Sequence, residues 1–254
     1  MTGVTTLALD AGNTRVKWGF HDGDGWIRKG AVPTAAVASL AGEWSDLPAP
    51  TIAVAANVAG AGVADALSAA VGARGPVLTF VAGCEAQCGV RSGYDRPSQM
   101  GADRWAAAIG AWAAEEGACV IVNAGTAVTV DALSGEGVLL GGFILPGVDL
   151  MRDALVARTA QLRDTQGVVR FFPANTADAI TSGIAHALCG AIERMAGFLA
   201  RTAGASPVCI ISGGAAGAIA PHLDIPVRVV EHLVLDGLLV IARGTGDRPQ
   251  GSGD

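Results

Sequence analysis

Two stretches decide the fold: residues 7–20, LALDAGNTRVKWGF, and residues 120–133, VIVNAGTAVTVDAL. Each is an apolar run that meets Asp or Asn, then Ala-Gly, then a hydroxyl or amide residue, then a second run alternating apolar and polar side chains. Alternation with period two is a strand half-buried on one face, and glycine between two such runs is a turn. The pair therefore reads as one strand–turn–strand unit used twice, and an internal repeat has to be recognised before any fold is named.

Working outward from the first copy, strands are expected over Val4 to Asp10 and Arg15 to His21, with the hairpin turn Asp22-Gly23-Asp24-Gly25 leading to a third strand from Trp26. A helix near Thr34 to Trp44 follows, then a strand Thr51 to Ala56, a helix near Val63 to Val71 and a strand Pro76 to Phe80. The second copy predicts strands Ala118 to Val122, Ala127 to Leu133 and Val138 to Ile144. Helices near Val148 to Arg158 and Thr176 to Ala203 come next, then a strand Val208 to Ile211 and a last helix, Glu231 to Arg243. Three antiparallel strands followed by alternating helices and strands indicate a mixed-sheet α/β domain. The boundaries that follow are residues 1–117, residues 118–243 and a frayed tail over 244–254, which lacks apolar side chains.

Composition excludes several classes. The chain has 254 residues, 51% hydrophobic and 16% charged, with a net charge of −6. That is the reverse of a disordered chain, and the sign is wrong for non-specific nucleic-acid binding or a polybasic membrane contact. Thr51 to Gly72 is the most membrane-like stretch, but Asn57, Asp65 and its glycines make a buried strand, a turn and an Ala-rich helix the better reading. Asp10 inside the first apolar run, with Arg15 and Lys17 after it, is the wrong order for a signal peptide. Cys84, Cys88, Cys119, Cys189 and Cys209 form no CxxC pair and are odd in number, as for reduced thiols in the cytoplasm.

The two glycine turns suggest chemistry. A glycine between strands lets successive backbone N–H groups face a concavity that holds phosphate oxygens. Asp10 stands where a carboxylate holds Mg²⁺ through water, while Asn13, Thr14 and Thr126 add donors. Lys17, one of only two lysines in the chain, offers a point charge to a phosphate. Neither turn matches GxxxxGK[ST] or GxGxxG, so P-loop and Rossmann readings fit poorly.

With DAGNTRVK, GYDRPSQMGADRWAA, NAGTAVTVD, GGFILPG, NTADAITSG and ISGG in view, spread from residue 10 to residue 214, the chain resembles the type III pantothenate kinases. These belong to the superfamily of acetate and sugar kinases, Hsp70 and actin. The resemblance implies duplicated ribonuclease-H-like (actin-like) α/β domains with mixed five-stranded sheets and a cleft between them. It implies ATP-dependent phosphorylation of the terminal hydroxyl of pantothenate, the first step towards coenzyme A, by a cytoplasmic homodimer that binds neither nucleic acid nor membrane. ATP would be held by Asp10, Ala11, Gly12, Asn13, Thr14, Arg15, Val16 and Lys17 and by Gly125 and Thr126, with Gly213 and Gly214 close to the adenosine. Tyr94, Gly101, Ala102, Asp103 and Arg104 would line the pantothenate pocket, with Thr176 reaching in from the partner subunit.

Residue by residue, alternatives stay open. Asp103 precedes an Ala-rich helical run, Trp105 to Glu116, and caps are commonly Asp; the resemblance instead makes it the base for the substrate hydroxyl. A helix N-terminus favours an ionised carboxylate. That suits phosphoryl transfer, where the base mainly orients the hydroxyl and takes its proton late. Arg104 offers a forked cation to an anionic or polar substrate; the alternative of a surface helix residue bridged to Glu115 or Glu116 fails on distance, those lying about three turns away. Thr176, after Asn175, is either a helix cap or a pocket residue, and Asp131 faces either the metal or a solvated edge. Gly141-Gly142 and Pro146-Gly147 are expected to shape the floor between the halves.

One position departs from the family pattern. Asn123 stands where the family has Asp, a position associated with a monovalent cation such as K⁺ or NH4⁺. Asn keeps an oxygen ligand but loses the charge, and hard-cation affinity follows charge count. Weak or absent K⁺ dependence is the expectation. A nucleotide- or pantothenate-binding regulatory protein, or a kinase for another small substrate, remain the alternatives.

Overall fold

The computed structural model describes residues 4–115, 117–158, 167–203 and 207–246. Contacts divide the chain into two units: the first is Met1–Ala114 with Leu233–Asp254, the second Glu115–His232.

In the first unit, β1 (Thr6–Ala11), β2 (Arg15–His21) and β3 (Trp26–Pro33) form an antiparallel meander. A 3-10 turn and the short α1 (Leu40–Glu43) lead to β4 (Ile52–Asn57), α2 (Ala61–Gly72) and β5 (Leu78–Phe80). β4 pairs parallel to β1 and β5 parallel to β4, so the sheet order is β3-β2-β1-β4-β5. β1 is buried along its whole length, as expected of a central strand covered on both faces. Leu7, Leu9, Val16, Trp18, Phe20, Leu40, Trp44 and Leu67 make its core. The hairpin β6 (Ala86–Gln87) and β7 (Val90–Ser92) precedes α3 (Ala102–Ala114).

In the second unit β8 (Cys119–Ala124), β9 (Ala127–Leu133) and β10 (Val138–Pro146) form the equivalent meander. After α4 (Val148–Arg158) and α5 (Thr176–Ala203) come β11 (Val208–Ser212), the short α6 (Ala216–Ile219) and β12 (Val227–Val229). β11 is parallel to β8 and β12 parallel to β11. The five strands of this unit therefore run β10-β9-β8-β11-β12, the first unit's order and directions repeated. The core is Val120, Val122, Val128 and Val130 against Ile184, Leu188 and Ile192 on the inner face of α5. The repeat expected from two short sequence stretches is a repeat of the whole sheet.

The boundaries differ from expectation. α7 (Leu233–Gly246) belongs to the first unit, not the second. It lies on α3, with Gly110 against Gly237, where a β-carbon on Gly110 would lie 2.6 Å from the Leu233 carbonyl oxygen. The Trp26 indole also donates to Asp236 Oδ1 at 3.1 Å. The apolar face of α7 is thus buried where α3 needs a cover, and sequence order does not decide the partner. The first unit's leading segment ends at Ala114 rather than residue 117. Residues 244–246 of the expected tail continue α7, and residues 247–254 lie outside the described residues. Among the described residues no helix is long and apolar enough to cross a membrane.

Candidate active site

The first glycine turn closes β1 onto β2. Gly12 N–H donates to the Arg15 carbonyl at 3.0 Å, and the exposed tip Asn13-Thr14 is braced by Thr34, just past β3. Thr34 N–H donates to the Thr14 carbonyl at 3.0 Å and its hydroxyl to the Gly12 carbonyl at 2.7 Å. Ala11 and Val16 are fully buried. Their side chains serve the core, so only their main-chain atoms are available to a ligand.

Asp10 pairs in register with Lys17 across the hairpin, with Lys17 Nζ 3.7 Å from Asp10 Oδ2. Burial pushes the Asp10 carboxyl up to about 6; Lys17 pulls it down, and the nearby Asp103 carboxylate pushes it up again. Burial wins because the group has lost most of its water and Lys17 is too distant for a tight bond. A hard cation beside Asp10 would favour its charged form, and oxygen donors are what Mg²⁺ takes. Among the described residues no group of three or more His, Cys, Asp or Glu could hold a metal ion by itself. A divalent ion here would therefore rest on Asp10, water and the ligand's own phosphates, the arrangement such sites commonly use.

Asp103 lies in the first turn of α3. The helix starts two residues earlier than a capping role for Asp103 requires: Trp105 N–H already bonds the Gly101 carbonyl at 3.0 Å. Asp103 Oδ1 accepts from the Arg104 N–H at 2.8 Å, filling one of the free donors of the first turn. A β-carbon added to Gly101 would meet Asp103 Oδ1 at 2.7 Å, so the absent side chain leaves room at this oxygen. Arg104 is buried rather than on the surface, and its guanidinium lies 5.7 Å from the Tyr94 ring centroid, a cation–π contact. Tyr94 is half-buried, and Ala102 points into the core. Asp10, Lys17, Tyr94, Gly101, Asp103 and Arg104 all belong to the first unit.

In the second unit Gly125 and Thr126 form the exposed equivalent turn, with Gly125 N–H donating to the Ala127 carbonyl at 3.0 Å. Gly147 N–H braces the Thr126 carbonyl at 2.8 Å. Asn123 pairs in register with Thr129 and Ser212. Gly213, at φ +103°, lies against the Ala124 carbonyl, which also accepts from Ala215 N–H at 3.1 Å. Gly213-Gly214 thus follow the strand that neighbours the turn. Asp131 is buried beneath Gly142 rather than on a solvated edge. Asn175 caps α5, its Oδ1 accepting the Asp178 N–H at 2.9 Å. Thr176 is therefore not the cap; it is exposed, on the rim of an apolar cavity of about 690 Å³ lined by Pro146, Leu150, Met151, Ile180 and Ile184.

Sequence reasoning passed over Thr34, read as a helix start, and Asn57, whose side chain holds the turn after β4. A signal for the first existed: Pro33-Thr34 and Pro146-Gly147 end the third strand of each copy.

Comparison with known proteins gives the family. The profile of the type III pantothenate kinase family matches residues 6–197. A type III pantothenate kinase of Nitrosospira multiformis is 48% identical over 245 residues, covering 96% of this chain and 94% of its own. Among solved structures, a Sinorhizobium meliloti protein described as a 2-dehydro-3-deoxygalactonokinase superposes with a TM-score of 0.63 at 17% identity, covering 96% of this chain and all of that one. MreB5 of Spiroplasma citri, bound to ADP, superposes with a TM-score of 0.51 at 10% identity over 94% of this chain and 96% of its own. At such identities the likeness is one of fold, the doubled actin-like α/β architecture.

Proposed function

The chain belongs to the type III pantothenate kinase family, and from that premise we propose which of its residues carry the phosphoryl transfer from ATP to pantothenate that opens coenzyme A synthesis. Asp103 is the carboxylate that meets the acceptor. As the terminal hydroxyl oxygen attacks the γ-phosphorus, its proton passes to Asp103. The bond from phosphorus to the β–γ bridging oxygen breaks, leaving ADP and 4'-phosphopantothenate. The observation supporting this most directly is geometric: Val58 N–H donates to the Ala11 carbonyl at 3.0 Å, and a β-carbon on Gly101 would lie 3.9 Å from Val58 Cγ1 and 2.7 Å from Asp103 Oδ1. The acceptor carboxylate and the braced Gly12 turn therefore share one locality.

In this reading Gly12, Asn13, Thr14 and Arg15 offer main-chain and side-chain donors to the phosphates, and Lys17 adds a point charge. Ala11 and Val16 contribute backbone alone. Gly125 and Thr126 are the corresponding donors of the second unit, and Gly213 and Gly214 approach the adenosine. Asp10 would hold, with water, the Mg²⁺ that accompanies ATP, and the ion would supply neutralisation of the phosphate charge. Tyr94, Gly101, Ala102 and Arg104 bind pantothenate. Asp103→Asn tests the central role: turnover falls about 10²–10⁴-fold while calorimetry still detects pantothenate binding. A variant within tenfold of wild type would falsify it.

Two further parts of the proposal stand on separate observations. Asn123 supplies an uncharged oxygen at the monovalent-cation position, so K⁺ titrated at fixed Mg²⁺·ATP activates weakly; tight, strong activation overturns this. The apolar cavity carrying Thr176 on its rim fits burial against a second copy, giving a cytoplasmic homodimer whose Thr176 serves the partner's pocket. Light scattering reads a dimer, and Leu150→Glu dissociates it.

A further inference from the structure

β4 ends at Asn57, beside Ala11 in the parallel ladder with β1, and α2 begins at Ala61. One side chain organises the turn between them. Asn57 Oδ1 accepts the Ala59 N–H at 2.9 Å, and Asn57 Nδ2 donates to the Gly60 carbonyl at 3.0 Å. Val58 N–H meanwhile extends the ladder, donating to the Ala11 carbonyl at 3.0 Å. Val58 is thus fixed on two sides, by its own N–H on β1 and by the amide clamp that follows it.

The half-buried Val58 side chain borders the acceptor carboxylate's surroundings. A β-carbon built on Gly101 would lie 3.9 Å from Val58 Cγ1, 3.9 Å from Arg104 Cδ and 2.7 Å from Asp103 Oδ1. The bare face of Gly101 therefore has an apolar methyl, an arginine stem and the acceptor carboxylate around it. The terminal hydroxyl of pantothenate is borne on a carbon next to a dimethyl-substituted centre, the bulkiest apolar part of that molecule. An apolar wall beside Asp103 suits that group, and a polar one would not.

We propose that Asn57 is a positioning residue for the acceptor: its amide clamp holds Val58 as the wall against which the dimethyl end of the substrate rests while the hydroxyl meets Asp103. This rests on the assignment of Asp103 above. Asn57 acts through Val58 and touches no reacting atom. The competing account is an Asx turn that serves the fold alone, and the two differ in which constant moves.

Steady-state kinetics with pantothenate and Mg²⁺·ATP, alongside thermal unfolding, separate them on the full chain. Val58→Ala and Asn57→Ala each raise the pantothenate KM about tenfold or more, with the ATP KM changed less than about twofold. Asn57→Asp keeps the acceptor for Ala59 N–H and recovers most of the loss. A pantothenate KM unmoved in folded Asn57→Ala overturns the proposal, as does a shift in Val58→Ala that no Asn57 variant shares. Should Asn57→Ala fail to fold, Asn57→Asp and Val58→Ala still carry the comparison. A wild type that makes no phosphopantothenate overturns the Asp103 assignment and this proposal together; wild-type turnover with unmoved KM values overturns this one alone.

Discussion

The Gly12 and Gly125 turns are built to one plan and charged differently. Each joins the first two strands of a meander, and each tip is braced by the main-chain N–H of the residue after the third strand's terminal proline, Thr34 in one copy and Gly147 in the other. The penultimate residue of the first strand is Asp10 in the first copy and Asn123 in the second. Its cross-strand partner is Lys17 in one and Thr129 in the other. The scaffold is duplicated, but the ion pair is not. Backbone donors that cradle an anion need only the turn, whereas the site proposed above also needs charged side chains to place a cation and an acceptor carboxylate, and Asp10, Lys17 and Asp103 all belong to the first unit.

The sharpest way to break this contrast is to make the first copy resemble the second. Asp10→Asn removes the charge and keeps the shape, and kcat is expected to fall about 10²-fold or more, the scale for losing one electrostatic contact in a phosphoryl-transfer site. The reciprocal Asn123→Asp adds a charge where only an amide stands; K⁺ activation should appear or strengthen while activity without K⁺ changes little. Equal losses from the two exchanges would mean that the copies share the work evenly.

The same exchange in the first copy has an opposite effect on stability. The Asp10 carboxyl titrates at about 6 in the folded chain against 3.8 for an ordinary aspartate. Its contribution to stability is therefore fully present below pH 3.8 and lost as the pH rises through about 6, because the folded state binds the extra proton within that window. Above it the buried charge is a cost, on the order of 2–3 kcal/mol at most. Without nucleotide or divalent metal, Asp10→Asn should melt several degrees higher than wild type at pH 8, with the gap closing towards pH 4. A gap that stays constant across that range would mean burial does not govern Asp10. Stability forgone in this way is the trade expected of the role proposed for Asp10.

Much of the contrast was legible before any coordinates. Arg15–His21, Ala127–Leu133, Val148–Arg158 and Thr176–Ala203 keep their expected limits, because alternation and long amphipathic periodicity are local signals. What escaped depends on tertiary partners. β12 is three residues long, and its identity comes from the β11 edge it joins. The hairpin β6–β7 lies between the strand ending at Phe80 and the helix carrying Asp103, where no element is expected from the sequence, with Cys88 at φ +49° in its turn, a conformation its residue type does not advertise. α7 reads correctly as a helix but not as α3's partner. At the site the residue types were readable and their pairing was not. Asp10 facing Lys17 follows only from register, and the Thr34 brace and Asn57 clamp are side-chain bonds no motif records.

The braces offer the finest test of the two-copy comparison, since they do the same job by different means. A β-carbon on Gly147 would strike the Gly125 carbonyl and lie 2.5 Å from the Thr126 carbonyl oxygen. Gly147→Ala must therefore push the second turn outward, costing about 1–3 kcal/mol and weakening nucleotide affinity. Thr34 instead adds a hydroxyl bond to Gly12 on top of its main-chain bond. Thr34→Ala deletes that single bond and leaves the main-chain brace intact, so urea unfolding should show a loss of about 1 kcal/mol, and Thr34→Ser should restore most of it. The ranking is the substance: a brace made of close backbone approach tolerates no added atom, while one made partly of a hydroxyl degrades gently. If Thr34→Ala cost as much as Gly147→Ala, the hydroxyl would be carrying the first turn, and the two copies would differ in architecture as well as in charge.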